Sequence, residues 1–144
     1  MKISTRGRYG TRALLDIAIN QNNGPVALKS IAAREQISLY YLERIIASLV
    51  KAGFLNSIRG PKGGVVLGKP PHQIRLSDVV LMLEGSLAPV ECIDDPETCP
   101  RVEACVTCDL WSNVKRAVDG VLESVTLQDL VERHGEKQRR LAER

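Results

Sequence analysis

The sequence predicts a mainly α-helical fold carrying one small β-hairpin, on three observations. Apolar residues recur at helical spacing in three segments before residue 53. Two short apolar runs then flank a glycine-rich basic loop. Past residue 70, two more helical patterns bracket a proline-containing stretch with no period. The 144 residues are 44% hydrophobic and 26% charged, ordinary values for one folded unit. No run approaches the roughly 18 apolar residues of a membrane span. Met1-Lys2-Ile3-Ser4-Thr5-Arg6 lacks the apolar core of a signal peptide. A cytoplasmic protein with no membrane partner is therefore expected.

The first helix is expected over about residues 8–21, with Tyr9, Ala13, Leu14, Ile17 and Ala18 on one face. Asn22-Asn23-Gly24-Pro25 supplies the turn that stops it. A second, short helix covers about 28–35, burying Leu28, Ile31 and Ala32. Gln36-Ile37-Ser38 makes a tight connection, and Ser38 is a good N-cap for a third helix reaching about Ala52. That helix turns Leu42, Ile45, Ile46, Leu49 and Val50 inward, and Gly53 occupies the place of a C-terminal glycine cap. Residues 54–58 and 65–67 read as strands joined by Arg59-Gly60-Pro61-Lys62-Gly63-Gly64. Three helices, the last two across a tight turn, followed by a hairpin give the order of a winged helix-turn-helix domain over residues 1–70.

After Pro70-Pro71 the chain restarts, with Ser77 a candidate cap for a helix over about 78–84 that ends at Gly85. Residues 71–107 are read as this connecting helix followed by a cysteine-rich loop. A long helix over about 108–124 carries Leu110, Val114, Ala117, Val118 and Val121 in a stripe that continues to Val125. Such a stripe suits a dimerisation helix, although it could also pack within one chain. Thr126-Leu127-Gln128-Asp129 resembles a capping box, starting one short last helix near residue 130. Residues 131–144 are expected to be a charged, frayed tail.

Charge is unevenly divided. Residues 1–70 carry eleven Lys and Arg against three acids, whereas residues 71–144 carry nine against fourteen. A basic half built on a helix-turn-helix order points to double-stranded DNA. Aromatic residues are only 3% of the chain, which argues against a single-strand stacking platform. The residues placed to meet the major groove are Ser38, Tyr40, Tyr41, Glu43 and Arg44, at the start of the second helix of the motif. A carboxylate accepts from cytosine N4 and a guanidinium binds guanine bidentately. One of the two tyrosines is expected in the core and the other at a phosphate. Arg59 and Lys62 in the wing suit close approach to a narrow minor groove. The blander alternative is that Glu43 and Arg44 are solvated and that the glycines only turn a hairpin.

All four cysteines, Cys92, Cys99, Cys105 and Cys108, fall within seventeen residues. Soft thiolates favour an iron–sulfur cluster or zinc, and a reducing compartment favours metal over disulfide. The wide first spacings do not match paired zinc knuckles. Cys105-x2-Cys108 alone could be a redox dithiol, which keeps open a thiol–disulfide or electron-transfer protein. Cys108 stands at the start of the long helix, where the dipole favours thiolate. Neither histidine lies in the cysteine loop, and no nucleophile elbow, phosphate loop or HExxH motif occurs, so no enzyme is expected.

Gly7-Arg8-Tyr9, the segment Ile37-Ser38-Leu39-Tyr40-Tyr41-Leu42-Glu43, the wing Ile58 to Gly64 and the first three cysteines together resemble the IscR-like regulators. The resemblance spans about residues 1–130. It implies a homodimeric winged-helix transcription factor that binds a [2Fe–2S] cluster, reads a palindromic operator and controls cluster-assembly genes. It further implies that Cys92, Cys99 and Cys105 ligate the cluster, that Glu43 selects the operator class by cluster occupancy, and that Arg59 enters the minor groove. Two features depart from the family pattern: six residues separate the first two cysteines instead of five, and Cys108 stands where the family has histidine. A fourth thiolate should lower the reduction potential. Arg8 stands where nitric-oxide-sensing relatives carry a ligating aspartate.

Overall fold

Ser4 opens the first helix four residues before the apolar pattern begins. Its hydroxyl accepts from the Gly7 N–H at 3.2 Å, so α1 runs Thr5–Asn20. The computed structural model describes all 144 residues. α1 is followed by α2 (Leu28–Glu35), α3 (Leu39–Lys51), β1 (Leu55–Ile58) and β2 (Gly64–Leu67). Then come α4 (Leu76–Glu84), the four-residue α5 (Glu91–Asp94), α6 (Val106–Glu123) and α7 (Leu127–Ala142). The expected mainly α fold with a two-stranded hairpin is the one observed.

The helix-turn-helix is built as its sequence directs. Ser38 caps α3 by accepting from the Tyr41 N–H at 3.2 Å. Gln36, the connection's first residue, sits in the left-handed region at φ 55°, the one non-glycine residue that does so. At the far end Gly53 adopts φ 87°. There the Gly53 N–H donates to Val50 and the Phe54 N–H to Leu49, both at 3.0 Å, closing a Schellman motif. β1 and β2 pair antiparallel from Leu55 opposite Leu67 to Ile58 opposite Gly64. Val26, just ahead of α2, exchanges two 2.9 Å bonds with Val65 and so ties the wing to the helices.

Beyond residue 70 three expectations are corrected. α4 starts at Leu76, and Ser77 is not its cap. Arg75 takes that place because it bridges Thr126, with Leu76 N–H bonded to Val125 O at 2.9 Å and Leu127 N–H to Ile74 O at 2.8 Å. α6 begins at Val106, two residues early, with Cys105 at its N-cap. The last helix is neither short nor frayed: α7 continues through the charged segment to Ala142. Thr126 and Asp129 form the full capping box that starts it, and Leu127 is fully buried. Its last turn carries Arg139 and Arg140, cations suited to the helix C-terminus, and Arg140 lies 4.0 Å from Glu136 one turn earlier.

The core gathers around α1. Ala13, Leu14 and Ile17 are fully buried there together with Ile31, Leu42, Leu49, Leu55, Ile74, Val79 and Leu127 from the surrounding elements. Within this core Asp16 of α1 is the one buried polar residue. Arg34 of α2 binds it bidentately, Nε to Oδ2 at 2.9 Å and Nη2 to Oδ1 at 2.7 Å. That bond to Asp16 holds the Arg34 guanidinium above its ordinary pKa. Removing the cation leaves a desolvated carboxylate with no other donor to it. Arg34→Ala should therefore cost about 2–3 kcal/mol, below the fully buried case because Arg34 is partly solvated. Arg12→Ala, which breaks the exposed pair with Glu35, should cost under about 1 kcal/mol. Urea melts of the two variants check this, and equal midpoints would contradict it.

Candidate nucleic-acid interface and cysteine loop

The exposed end of α3 presents the predicted reading residues together. Tyr40, Glu43 and Arg44 are all exposed there, and Tyr40 retains 73% of its surface. Tyr41 is half-buried, its ring edge-on to Tyr9 at 5.9 Å between centroids and 81° between planes. The two tyrosines thus divide as anticipated: Tyr41 is the packing residue and Tyr40 the free one. Ser38 is exposed, but its hydroxyl oxygen is engaged in capping. Arg59 and Lys62 are both exposed in the wing loop, which carries no secondary structure of its own from Arg59 to Gly63.

The electrostatics sharpen this face. Of the three acids in the basic half, Asp16 is neutralised by Arg34 and Glu35 by Arg12, whose Nε lies 3.2 Å from its carboxylate. Glu43 has no cationic partner. It is therefore the only uncompensated negative charge among the exposed cations of residues 1–70, a poor neighbour for phosphate and a good acceptor for a base amino group. One contributor was missed in the sequence. Arg6, in the first turn of α1, donates to Ser48 Oγ of α3 at 3.1 Å, bringing its cation beside the reading helix. The Ser4 cap was the signal that α1 reaches back that far.

The cysteines lie on short turns between α4 and α6. Cys92 is in α5, Cys99 ends the Pro96–Thr98 turn, Cys105 caps α6 and Cys108 occupies its first turn. Cys108 is buried and the other three are half-buried. Cys92 Sγ and Cys108 Sγ are 3.5 Å apart. Cys105 Sγ instead meets Thr107 Oγ1 at 3.0 Å. The two sulfurs in contact are thus Cys92 and Cys108, not the Cys105–Cys108 dithiol that the short spacing kept open as an alternative. The expected thiolate at Cys108 also moves. Its thiol is pushed up by the contact with Cys92 and by burial, whereas Cys105 is lowered by the Thr107 hydroxyl and the Cys108 N–H.

Thiolates held at about 2.3 Å by one tetrahedral metal stand about 3.8 Å apart, so Cys92 and Cys108 fit one edge of such a site. No group of three or more Cys, His, Asp or Glu side chains is gathered to metal-binding distance. Cys99 and Cys105 therefore share the loop with that pair without completing a four-sulfur set. On α6, Leu110 (52%), Trp111 (39%) and Val121 (63%) are exposed, and Val114 and Val118 are half-buried. The stripe is covered only in part, by α4 and α5. No helix is long and apolar enough to cross a membrane.

A helix-turn-helix whose second helix is exposed, followed by a basic wing, is the architecture of a winged-helix DNA-binding regulator. Residues 3–133 match the family model Rrf2, described as an iron-dependent transcriptional regulator, and the chain belongs to the Rrf2 family. It is 44% identical over 131 residues to protein rrf2 of Nitratidesulfovibrio vulgaris, covering 91% of this chain and 87% of that one. The structure resembles that of T. potens IscR, with TM-score 0.79, 40% identity and coverage of 96% and 91%. It also resembles CymR, the global cysteine regulator of B. subtilis, with TM-score 0.76, 42% identity and coverage of 92% and 97%. The IscR-like resemblance is borne out, and the chain is a transcriptional regulator rather than an enzyme.

The two tyrosines and Glu43 give separable outcomes. Tyr41→Ala should lower stability by about 2–4 kcal/mol through lost packing. Tyr40→Ala should leave the melting midpoint unchanged and weaken binding to duplex DNA. Glu43→Ala should relax discrimination at one base pair by about 1–3 kcal/mol, read by selection from a random duplex library. An unchanged sequence logo would defeat the role given to Glu43.

Proposed function

We propose that this chain is a homodimeric regulator that reads a palindromic operator through α3 and the wing. Its DNA affinity is set by a [2Fe–2S] cluster held by Cys92, Cys99, Cys105 and Cys108, so that it reports cluster status and controls cluster-assembly genes. One observation carries the reading: Cys92, Cys105 and Cys108 meet at the start of α6, the same helix whose apolar face is left exposed. Ligation there would order the loop between the DNA reader and the subunit contact. Glu43 and Arg44 would read base edges, Arg59 the minor groove, and Lys62 and Tyr40 the backbone.

The family's description as iron-dependent and the likeness to T. potens IscR support iron. The Cys92–Cys108 spacing also admits zinc, and the two differ in colour. The bound cluster would supply a redox-active, charged core. The protein's own part is to close Cys99 and Cys105 onto the pair already in contact, through turns that contain no strand or long helix.

The test is anaerobic isolation followed by iron and sulfide analysis and a visible spectrum. Iron-loaded and chelator-stripped protein are then compared on library-selected duplexes. Visible absorption bands and at least tenfold different affinity are expected. Colourless, iron-free material after reconstitution, or equal affinity in both states, would overturn the reading. A two-fold operator needs two-fold protein symmetry. Sedimentation should therefore give twice the 15.8 kDa chain mass, with Val121→Asp shifting the chain to monomer. A monomeric wild type would remove the dimer.

A further inference from the structure

We propose that Cys92 and Cys108 form a peroxide-reactive dithiol that closes to an intrachain disulfide. The site rests on the placement of two sulfurs and stands whether or not the four thiols bind iron. Their Sγ atoms are 3.5 Å apart, and a disulfide bond of about 2.0 Å needs roughly 1.5 Å of further approach. The two residues are sixteen apart in sequence and lie on different elements, so no regular backbone geometry forces the contact.

The elements carrying them differ in how easily they yield. Cys108 is buried in the first turn of the eighteen-residue α6. Cys92 is in a four-residue helix flanked by extended residues, Val90 at ψ 150° and Asp95 at φ −134°, ψ 91°. The approach therefore falls on α5, which a small change at either flank can carry toward α6. The remaining thiols are otherwise engaged or placed: Cys105 faces Thr107, and Cys99 closes a separate turn.

The half-exposed Cys92 meets the oxidant first, because Cys108 is buried. Its sulfur attacks a peroxide oxygen, the S–O bond forms and the O–O bond breaks. The departing hydroxide takes the Cys92 thiol proton and leaves as water. Cys108 sulfur then attacks Cys92 sulfur, forming S–S and breaking S–O. The second hydroxide takes the Cys108 proton and leaves as water. Two thiols are oxidised and one hydrogen peroxide is reduced to two waters. The product removes two of the four proposed ligands at once, so oxidation and metal binding exclude each other.

The experiment uses the full chain, stripped by chelator under argon and treated with one equivalent of hydrogen peroxide. Titratable thiols should fall from four to two per chain, and non-reducing peptide mapping should find Cys92 joined to Cys108. Cys99→Ser and Cys105→Ser should retain the link, and Cys92→Ser should abolish it. Because Cys108 is buried, the wild-type map decides the matter even if its variants fold poorly. A Cys105–Cys108 link, a link between chains, or sulfinic acid at Cys92 without any link would overturn the proposal. Iron uptake by the reduced chain is scored separately. A link without iron uptake removes only the cluster reading, and iron uptake without a link removes only this one.

Discussion

The close approach of α4 to α1 is the contact on which the rest of the molecule depends. Gly10 is buried in α1, and a Cβ at its position would strike Leu83 of α4; at Gly7 it would strike the Glu84 carboxylate. Glu84 in turn accepts from the Ser4 N–H at 3.0 Å and the Ser4 hydroxyl at 2.5 Å, so the cap of α1 is also its tie to α4. α1 packs on α2, α3 and β2 with its remaining surface, and α4 packs on α6. One pair of small residues thus lets α1 and α4 pack closely between the helix-turn-helix and the cysteine-bearing α6. Larger side chains there would displace the Leu83 and Glu84 side chains from their places against α1.

Charge follows from the same arrangement. The buried Asp16 faces α2, and Arg34 answers it from the helix that α1 must hold. Arg12, one turn earlier in α1, does the same for Glu35 at the end of α2. These pairs contribute to orientation at the cost of two cations, yet they also remove two acids from the field seen by DNA. What remains is a mostly positive face with Glu43 alone on the reading helix. If α3 meets base edges as proposed, such a lone carboxylate would give little affinity and considerable selectivity, because a site without an amino donor leaves it desolvated beside acceptors.

The helix-turn-helix and wing were legible because each is specified locally: Ser38 caps, Gly53 terminates, and the Arg59–Gly64 segment turns. The errors fall where a long-range contact decided the outcome. The start of α4 is fixed by the Arg75–Thr126 bridge, fifty-one residues apart in sequence, and Ser77 lost the role its type suggested. The charged terminal segment has few apolar residues, yet Leu127 and Leu130 dock its first turn on the core, and a helix so anchored propagates. The four thiols were legible as a cluster, but not their pairing. The short Cys105–Cys108 spacing offered one possible pair, but the fold turns Cys105 toward Thr107 and lays α5 against α6.

Relatives as similar as T. potens IscR and the B. subtilis global cysteine regulator share this scaffold at nearly equal identity. The scaffold therefore does not by itself choose a signal. The segment between α4 and α6 is made of short turns with few buried residues, so its rearrangement costs little. A thiol pair already in contact needs only a shift of α5, whereas a four-sulfur set needs Cys99 and Cys105 to travel as well. Under the proposed function, bonds to a metal core would have to meet the cost of those larger motions, coupling the order of the loop to occupancy. Because Cys108 belongs to the first turn of α6, and α6 packs on α4 while α4 packs on α1, the cysteine segment adjoins the same chain of helix contacts that carries the helix-turn-helix.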